Sequence, residues 1–216
     1  MINHYTDLKI TAFFSGAIIM VLEILGFRVL APYFGYSVYV SGSLIGIVMV
    51  ALSFGYFSGG QLADRRPQKS LLYKLLLAAD IYVIIISFFY INLLETLSGL
   101  GVVYGAIASS FILFAPSMML LWMVPPFIIR LMTNDPNIVG SIAGDITAIG
   151  TIGSIIGTFG ATFILIPKLG SHWTMYMCSI LLLLIAVLGL AVRRKGYLLL
   201  ILIVFIFNIF PREIIS

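Results

Sequence analysis

The chain has 216 residues, of which 62% are hydrophobic and only 9% charged, and its mean hydropathy is +1.17. This composition lies far outside the range of water-soluble globular domains and excludes that class. At about 20 residues per membrane-spanning helix, the length accommodates six or seven spans and little else. The sequence therefore predicts an all-α polytopic membrane protein with a single helical domain over residues 1–216.

Apolar runs predict about seven transmembrane helices. They lie near residues 10–30, 40–62, 71–91, 99–124, 139–166, 173–192 and 197–210. In the fourth run Pro116 predicts a kink, and Pro125 with Pro126 predict its end, which leaves residues 127–132 as a short interfacial piece. The seventh run would cover only about 21 Å, so it either tilts or does not cross. The N-terminus lacks the features of a cleaved signal peptide, so the first run is expected to be a retained span.

The distribution of lysine and arginine predicts a cell-membrane protein with a cytoplasmic N-terminus. In that orientation the inner segments hold nine basic residues, Lys9, Arg65, Arg66, Lys69, Lys74, Arg130, Arg193, Arg194 and Lys195. The outer segments hold the remaining three of the twelve, Arg28, Lys168 and Arg212. The net charge of +4 is therefore a topology signal, and nucleic acid is excluded as a partner because no other basic face exists.

No pattern of catalytic, cofactor-binding or metal-ligating residues is visible. The sequence contains neither a dinucleotide-binding nor a phosphate-binding glycine motif, and only two histidines and one cysteine. His172 beside Trp173 is typical of a membrane interface, and Cys178 within an apolar run is expected to be a small buried residue. We therefore expect no catalytic residue, no cofactor and no metal.

Acidic residues inside the predicted spans are the main functional candidates, because a carboxylate in hydrocarbon is costly and needs a partner or a cavity. Glu23 shares a helix face with Gly16 at 3/4 spacing, so this face should pack on protein. Glu23 either holds an ammonium group or a proton, or it is paired with Arg28 or capped by a tyrosine. Asp145 lies close to the inner membrane face and is expected to be solvated.

The third span carries a line of polar residues seven positions apart, Tyr73, Asp80 and Ser87. This line predicts a substrate-binding track along one helix face. The alternative is a network of interhelical hydrogen bonds, each worth about 0.6 kcal/mol on average in membranes.

The fifth span combines two patterns on neighbouring faces. Glycines recur at 3-4-3 spacing and predict close helix packing at Gly150, Gly153, Gly157 and Gly160. Hydroxyl side chains recur on the face turned by about 110° and include Thr147, Thr151, Ser154, Thr158 and Thr162. They either line a polar pathway, for which Thr151, Ser154 and Thr158 are the candidates, or bond to carbonyls of their own helix. The second span carries G-x-x-x-G twice, at Gly42 with Gly46 and at Gly55 with Gly59.

Three blocks together resemble the membrane domain of fused membrane/spermidine synthase proteins. They are GAIIMVLEILGFRVLAPYFGYSVYVSGSLIGIVMVALSFGYFSGGQLADRRP (16–67), APSMMLLWMVPPFIIRL (115–131) and GTIGSIIGTFGATFILIPKLGS (150–171). The segment GQLADRR (60–66) is also similar to the loop between the second and third helices of the major facilitator superfamily. The first six spans are accordingly expected to be similar to half of a major facilitator transporter.

The resemblance implies a bundle that works beside a soluble aminopropyltransferase-like domain, which this sequence, ending at Ser216, is expected to lack. It implies cation binding for Glu23, and inner-loop gating or topology for Asp64, Arg65 and Arg66. Two functions follow as alternatives. One is a transporter of a small cationic metabolite such as a polyamine, with a path through the first, third and fifth spans. The other is a membrane scaffold that anchors a soluble synthase. Neither requires this chain to be an enzyme.

Overall fold

A computed structural model describes residues 5–133 and 135–191. The helices are α1 (Thr6–Phe34), α2 (Val38–Arg65), α3 (Lys69–Ser98), α4 (Val102–Trp122), α5 (Val124–Met132), α6 (Val139–Gly160) and α7 (Ile166–Ala191). A 3₁₀ turn, Pro136–Ile138, precedes α6, and a π-helical segment, Ala161–Leu165, joins α6 to α7. The described residues contain no strand, so the all-α prediction is confirmed for them.

Five helical segments of the described residues are long and apolar enough to cross a membrane. They are Thr6–Phe34, Val38–Arg65, Lys69–Ser98, Val102–Met132 and Pro136–Leu190. The fifth has 55 residues, more than twice the about 20 that one crossing needs. It bends at Gly170, which has a φ of 78° and a ψ of 172°. The predicted count of seven is not supported, and the predicted seventh span and residue 192 lie outside the described residues.

The segment beyond Gly170 returns through the bundle against α3. Tyr73 packs on Gly189, Asp80 accepts a hydrogen bond from Ser179, and the ring of Tyr90 lies beside that of His172. Residue numbers rise along α3 as they fall along α7, so the two helices are antiparallel. The fifth segment therefore runs along the bundle twice, and the described residues make six passes through the bundle.

Two further interfaces join helices that run in the same direction. α1 packs on α6, with Phe13 at Gly153 and Ala17 at Gly157. α2 packs on α4 and α5, with Gly55 at Met119 and Trp122, Gly59 at Met123, and Asp64 at Arg130. Both pairs rely on glycines, because only a helix surface without side chains lets two backbones approach this closely.

The order of these interfaces has an internal symmetry. The first pass packs on the fifth, the fourth on the second, and the third on the sixth. If the first pass is exchanged with the fourth, the second with the fifth and the third with the sixth, the same three pairs result. In each exchange the two passes run in opposite directions. The described bundle therefore has the packing order of two inverted three-helix repeats.

The segment after α4 forms a short separate helix, α5. Pro125 and Pro126 lie in the first turn of α5, where the missing N–H is not needed for a helical hydrogen bond. The two prolines therefore follow the end of α4 and lie at the start of α5. Of residues 127–132, expected as a short interfacial piece, Phe127, Ile128 and Met132 are buried within the bundle, whereas Arg130 is exposed.

Charged residues concentrate at one end of the bundle, which we call the N-terminal end because α1 begins there. α3 and α6 also begin at this end, and α2, α5 and α7 end at it. Among the described residues, all ion pairs lie here and join Lys9 to Asp145, Lys69 to Asp7, and Arg130 to Asp64. This one-sided distribution is typical of a helical bundle that crosses a bilayer.

Candidate functional site

Glu23 lies in the middle of α1, between Leu22 and Ile24, and its side chain is half-buried. It has no hydrogen-bond or ion-pair partner among the described residues, and Arg28, the partner considered from sequence, forms no ion pair with it. The face that carries Glu23 also carries Gly16, two turns earlier, which packs against Gly150 and Ser154 of α6. An unpaired carboxylate therefore lies along the α1–α6 interface.

The π-helical segment lies at the same height as Glu23. α1 and α6 run in the same direction, and Gly16 is level with Ser154. Seven residues further along each helix, Glu23 is level with Ala161, where the segment begins. α1 contacts this segment directly. An isolated π turn leaves irregular backbone hydrogen bonding inside a helix and is frequent at functional sites. The described bundle thus places its unpaired acid beside its one π-helical segment.

The hydroxyl face of α6 is largely satisfied by backbone carbonyls. Thr151 donates to the carbonyl of Thr147 over 2.8 Å, and Thr158 donates to that of Ser154 over 2.9 Å. Ser154 instead donates across the interface to the carbonyl of Gly16, over 3.2 Å. Ser154 therefore joins α6 to the face of α1 that carries Glu23, whereas Thr151 is exposed and bonded within its own helix.

The polar line of α3 lies in a different interface, between α3 and α7. Asp80 is fully buried, and its Oδ1 accepts a 2.5 Å hydrogen bond from Ser179. Ser87 is buried and donates to the carbonyl of Ile84. Tyr73 is also buried, with its ring against Gly189. The structure thus separates these residues from Glu23, and the single path predicted through the first, third and fifth spans is divided between two interfaces.

Several polar residues of the bundle were missed by sequence reasoning. At the N-terminal end, the Asp7 carboxylate accepts hydrogen bonds from Lys69 and from the Tyr73 hydroxyl, at 3.1 and 3.2 Å respectively. In α4, the hydroxyls of Ser109 and Ser110 are buried without a partner. Two adjacent serines in an otherwise apolar run are the sequence signal that identifies this second group.

The glycines of α6 differ in what surrounds them. A Cβ added at Gly153 would lie 2.0 Å from the carbonyl oxygen of Phe13, and one at Gly157 would lie 2.3 Å from that of Ala17. At Gly150 the nearest atom would be at an ordinary contact distance of 3.7 Å. A Cβ at Gly160 would meet nothing within 4 Å. The close approach of the α1 and α6 backbones therefore depends on Gly153 and Gly157.

Asp64 lies at the N-terminal end, where its Oδ1 accepts a 2.8 Å hydrogen bond from Nε of Arg130. This ion pair joins the end of α2 to α5 and borders an open cleft of about 570 Å³, which reaches the start of α6. Arg65 and Arg66 are exposed. Of the predicted gating residues, Asp64 is thus the one that links two helices.

We expect the Asp64–Arg130 pair to contribute little to stability. Both side chains are substantially exposed, at 72% for Asp64 and 45% for Arg130, and exposed ion pairs are worth about 0.2–1 kcal/mol. A double-mutant cycle with Asp64→Ala and Arg130→Ala, read by thermal unfolding in detergent, measures the coupling. The charge-reversed double variant, Asp64→Arg with Arg130→Asp, is the control and should restore the coupling energy between the two positions. A coupling well above this range would show that the cleft residues form a larger network.

The described residues contain no group of three or more histidine, cysteine, aspartate or glutamate side chains that could hold a metal ion. Comparison of the chain with family models, with curated proteins and with solved structures finds no match.

Proposed function

We propose that this chain is an integral membrane transporter of a small cationic metabolite, and that Glu23 binds the cation. The observation that carries the proposal is the unpaired, half-buried Glu23 carboxylate in the middle of an apolar helix, level with the π-helical segment. A carboxylate held in hydrocarbon without a partner is unfavourable, and a cationic substrate supplies the missing charge. The carbonyl-bonded Ser154 and the irregular backbone after Gly160 add polar groups on the same side.

The packing order of the bundle supports transport over a passive role. Inverted repeats are the common construction of secondary transporters, in which the binding site lies near the middle of the membrane between repeats. α1 and α4 are the exchanged first helices of the two repeats, and Glu23 belongs to one of them. In this proposal the first six passes are similar to half of a major facilitator transporter, and the N-terminal end is cytoplasmic because it is rich in lysine and arginine.

The proposed substrate class is a polyamine or a related synthase substrate or product. It follows from the resemblance of residues 16–67, 115–131 and 150–171 to the membrane domain of fused membrane/spermidine synthase proteins. In this proposal a soluble aminopropyltransferase-like protein or domain is the partner on the cytoplasmic side, and the chain itself is not an enzyme.

Flux of labelled spermidine and putrescine into proteoliposomes tests the proposal. We expect saturable flux for the wild type and a fall to the level of empty liposomes for Glu23→Gln, which keeps the shape of the side chain and removes its charge. Glu23→Asp should retain part of the flux.

Glu95→Gln is the matched control, because Glu95 is exposed near the end of α3 and should not affect flux. Equal flux in the wild type and Glu23→Gln would refute cation binding by Glu23. No flux above empty liposomes for either amine in the wild type would refute the polyamine transporter. Recruitment of a synthase to the membrane by that same protein would then support the scaffold alternative.

A further inference from the structure

Asp80 is the most enclosed acidic residue of the described bundle. Its side chain is fully buried in the α3–α7 interface, where Oδ1 accepts the hydrogen bond from Ser179. The other oxygen, Oδ2, is buried without any hydrogen-bond partner. No lysine, arginine or histidine among the described residues lies within ion-pair distance of this carboxyl group.

The surroundings of Asp80 exclude two of the ligands that a membrane carboxylate can take. A metabolite of polyamine size has no room, because the site has no exposed surface. A hard cation such as Mg²⁺ or Ca²⁺ needs about six or more oxygen ligands, whereas Asp80 belongs to no group of three or more metal-ligating side chains among the described residues, and one hydroxyl, that of Ser179, is hydrogen-bonded to it. A proton needs neither a cavity nor several ligands.

Other titratable groups on the helices packed against α3 lie away from Asp80. Towards the N-terminal end they include Asp7 of α1, with Tyr73 and Lys74 of α3 itself, and towards the opposite end Tyr176 and His172 of α7 and Tyr104 of α4. Cys178 of α7 is buried and is adjacent to Ser179 in sequence. In α4, Val102–Trp122 contains no charged residue, and Arg130 of α5 is paired with Asp64. Glu23 of α1 lies on the face directed at α6. Among residues 5–133 and 135–191, no fixed charge is therefore paired with an ionised Asp80.

We infer that Asp80 is a proton-binding site, with the proton carried on the unpartnered Oδ2, and that its protonation is coupled to passage of the cation bound at Glu23. Binding forms one O–H bond and converts the carboxylate to a neutral acid, the form that a site without a counter-charge favours. The coupling rests on the proposed transport function, whereas the proton binding does not.

Tyr73 separates this site from the N-terminal end of the bundle. It lies two turns before Asp80 on the same face, its hydroxyl is bonded to Asp7, and its ring covers Gly189. In this proposal a proton from this end reaches Asp80 when the α3–α7 interface loosens around Tyr73. Proton exchange at Asp80 is therefore tied to a movement of α3 against α7.

Difference infrared spectroscopy of the reconstituted protein between acidic and alkaline buffer tests proton binding directly. We expect a carbonyl band of a protonated carboxylic acid that shifts when aspartate is labelled with ¹³C and is absent in Asp80→Asn. Ser179→Ala should move this band, because it removes the hydrogen bond to Oδ1. A wild-type spectrum without any ¹³C-aspartate-sensitive acid band would overturn the inference, and this test requires no variant.

Transport in the same vesicles tests the coupling. With one proton coupled to each amine, a pH difference of one unit changes the steady-state accumulation ratio about tenfold. We expect Asp80→Asn to keep exchange of labelled for unlabelled amine while losing this pH effect, and Asp80→Glu to retain it. An unchanged pH effect in Asp80→Asn would overturn the coupling. Absence of wild-type flux would instead refute the proposed function, and the infrared result would still decide proton binding.

Discussion

Gly153→Ala is expected to destabilise the bundle although alanine is the better helix former. The new Cβ would lie 2.0 Å from the Phe13 carbonyl oxygen, so α1 must move by about 1.4 Å to reach the 3.4 Å of ordinary contact. The obstacle is backbone, which cannot rotate away as a side chain can. Overpacking of this kind costs about 1–3 kcal/mol, which exceeds the about 1 kcal/mol gained in helix propensity.

The single cysteine of the chain provides the measurement. Cys178 is buried in the described bundle, so a thiol-reactive fluorophore labels it only when the bundle opens. We expect Gly153→Ala to lower the temperature at which Cys178 becomes labelled in detergent. Gly160→Ala on the same helix is the matched control, since its Cβ meets nothing within 4 Å, and it should leave that temperature unchanged or raise it. Equal behaviour of the two variants would contradict the α1–α6 packing described above.

Gly59→Ala is expected to destabilise the α2–α4 interface in the same way. Its Cβ would lie 2.7 Å from Cα and 2.8 Å from the carbonyl oxygen of Met123, at the junction of α4 and α5. The cost should again be about 1–3 kcal/mol, because neither backbone atom can move without shifting α4. Thermal unfolding followed by labelling of Cys178 measures it.

Gly46→Ala is the control within the same helix. Gly46 and Gly59 belong to identical G-x-x-x-G patterns, but a Cβ at Gly46 has open space around it. We expect this variant to be neutral or slightly stabilising, by the helix propensity of alanine. A loss of stability at Gly46 equal to that at Gly59 would mean that another surface covers the first half of α2.

Sequence patterns identified small residues correctly but did not distinguish those that pack from those that do not. Gly153 and Gly160 have the same local sequence character and the same helical spacing. The packing of α1 across α6 determines that Gly153 faces a backbone carbonyl and Gly160 faces open space. This packing depends on both helices, so it is not contained in the pattern of either.

The acidic candidates show the same division. Glu23 and Asp80 are both single carboxylates in apolar helices, and the sequence made both of them candidates for substrate binding. The structure leaves Glu23 half-buried and without a partner, and it encloses Asp80 against Ser179, a residue 99 positions away in sequence. A partner this distant gives no local signal, so the separate roles inferred for the two acids emerged only from the fold.

The sequence by itself determined that the chain is an all-helical, apolar bundle, and it located the long apolar helices of the described residues approximately. These follow from local physics, since an apolar segment in lipid must satisfy its own backbone hydrogen bonds and therefore forms a helix. The tertiary structure decided which helices pair, which glycines allow close approach, that Phe127 and Ile128 are buried, and which acid is enclosed. Those properties depend on the rotation and crossing of whole helices, which are set by contacts between residues far apart in the chain.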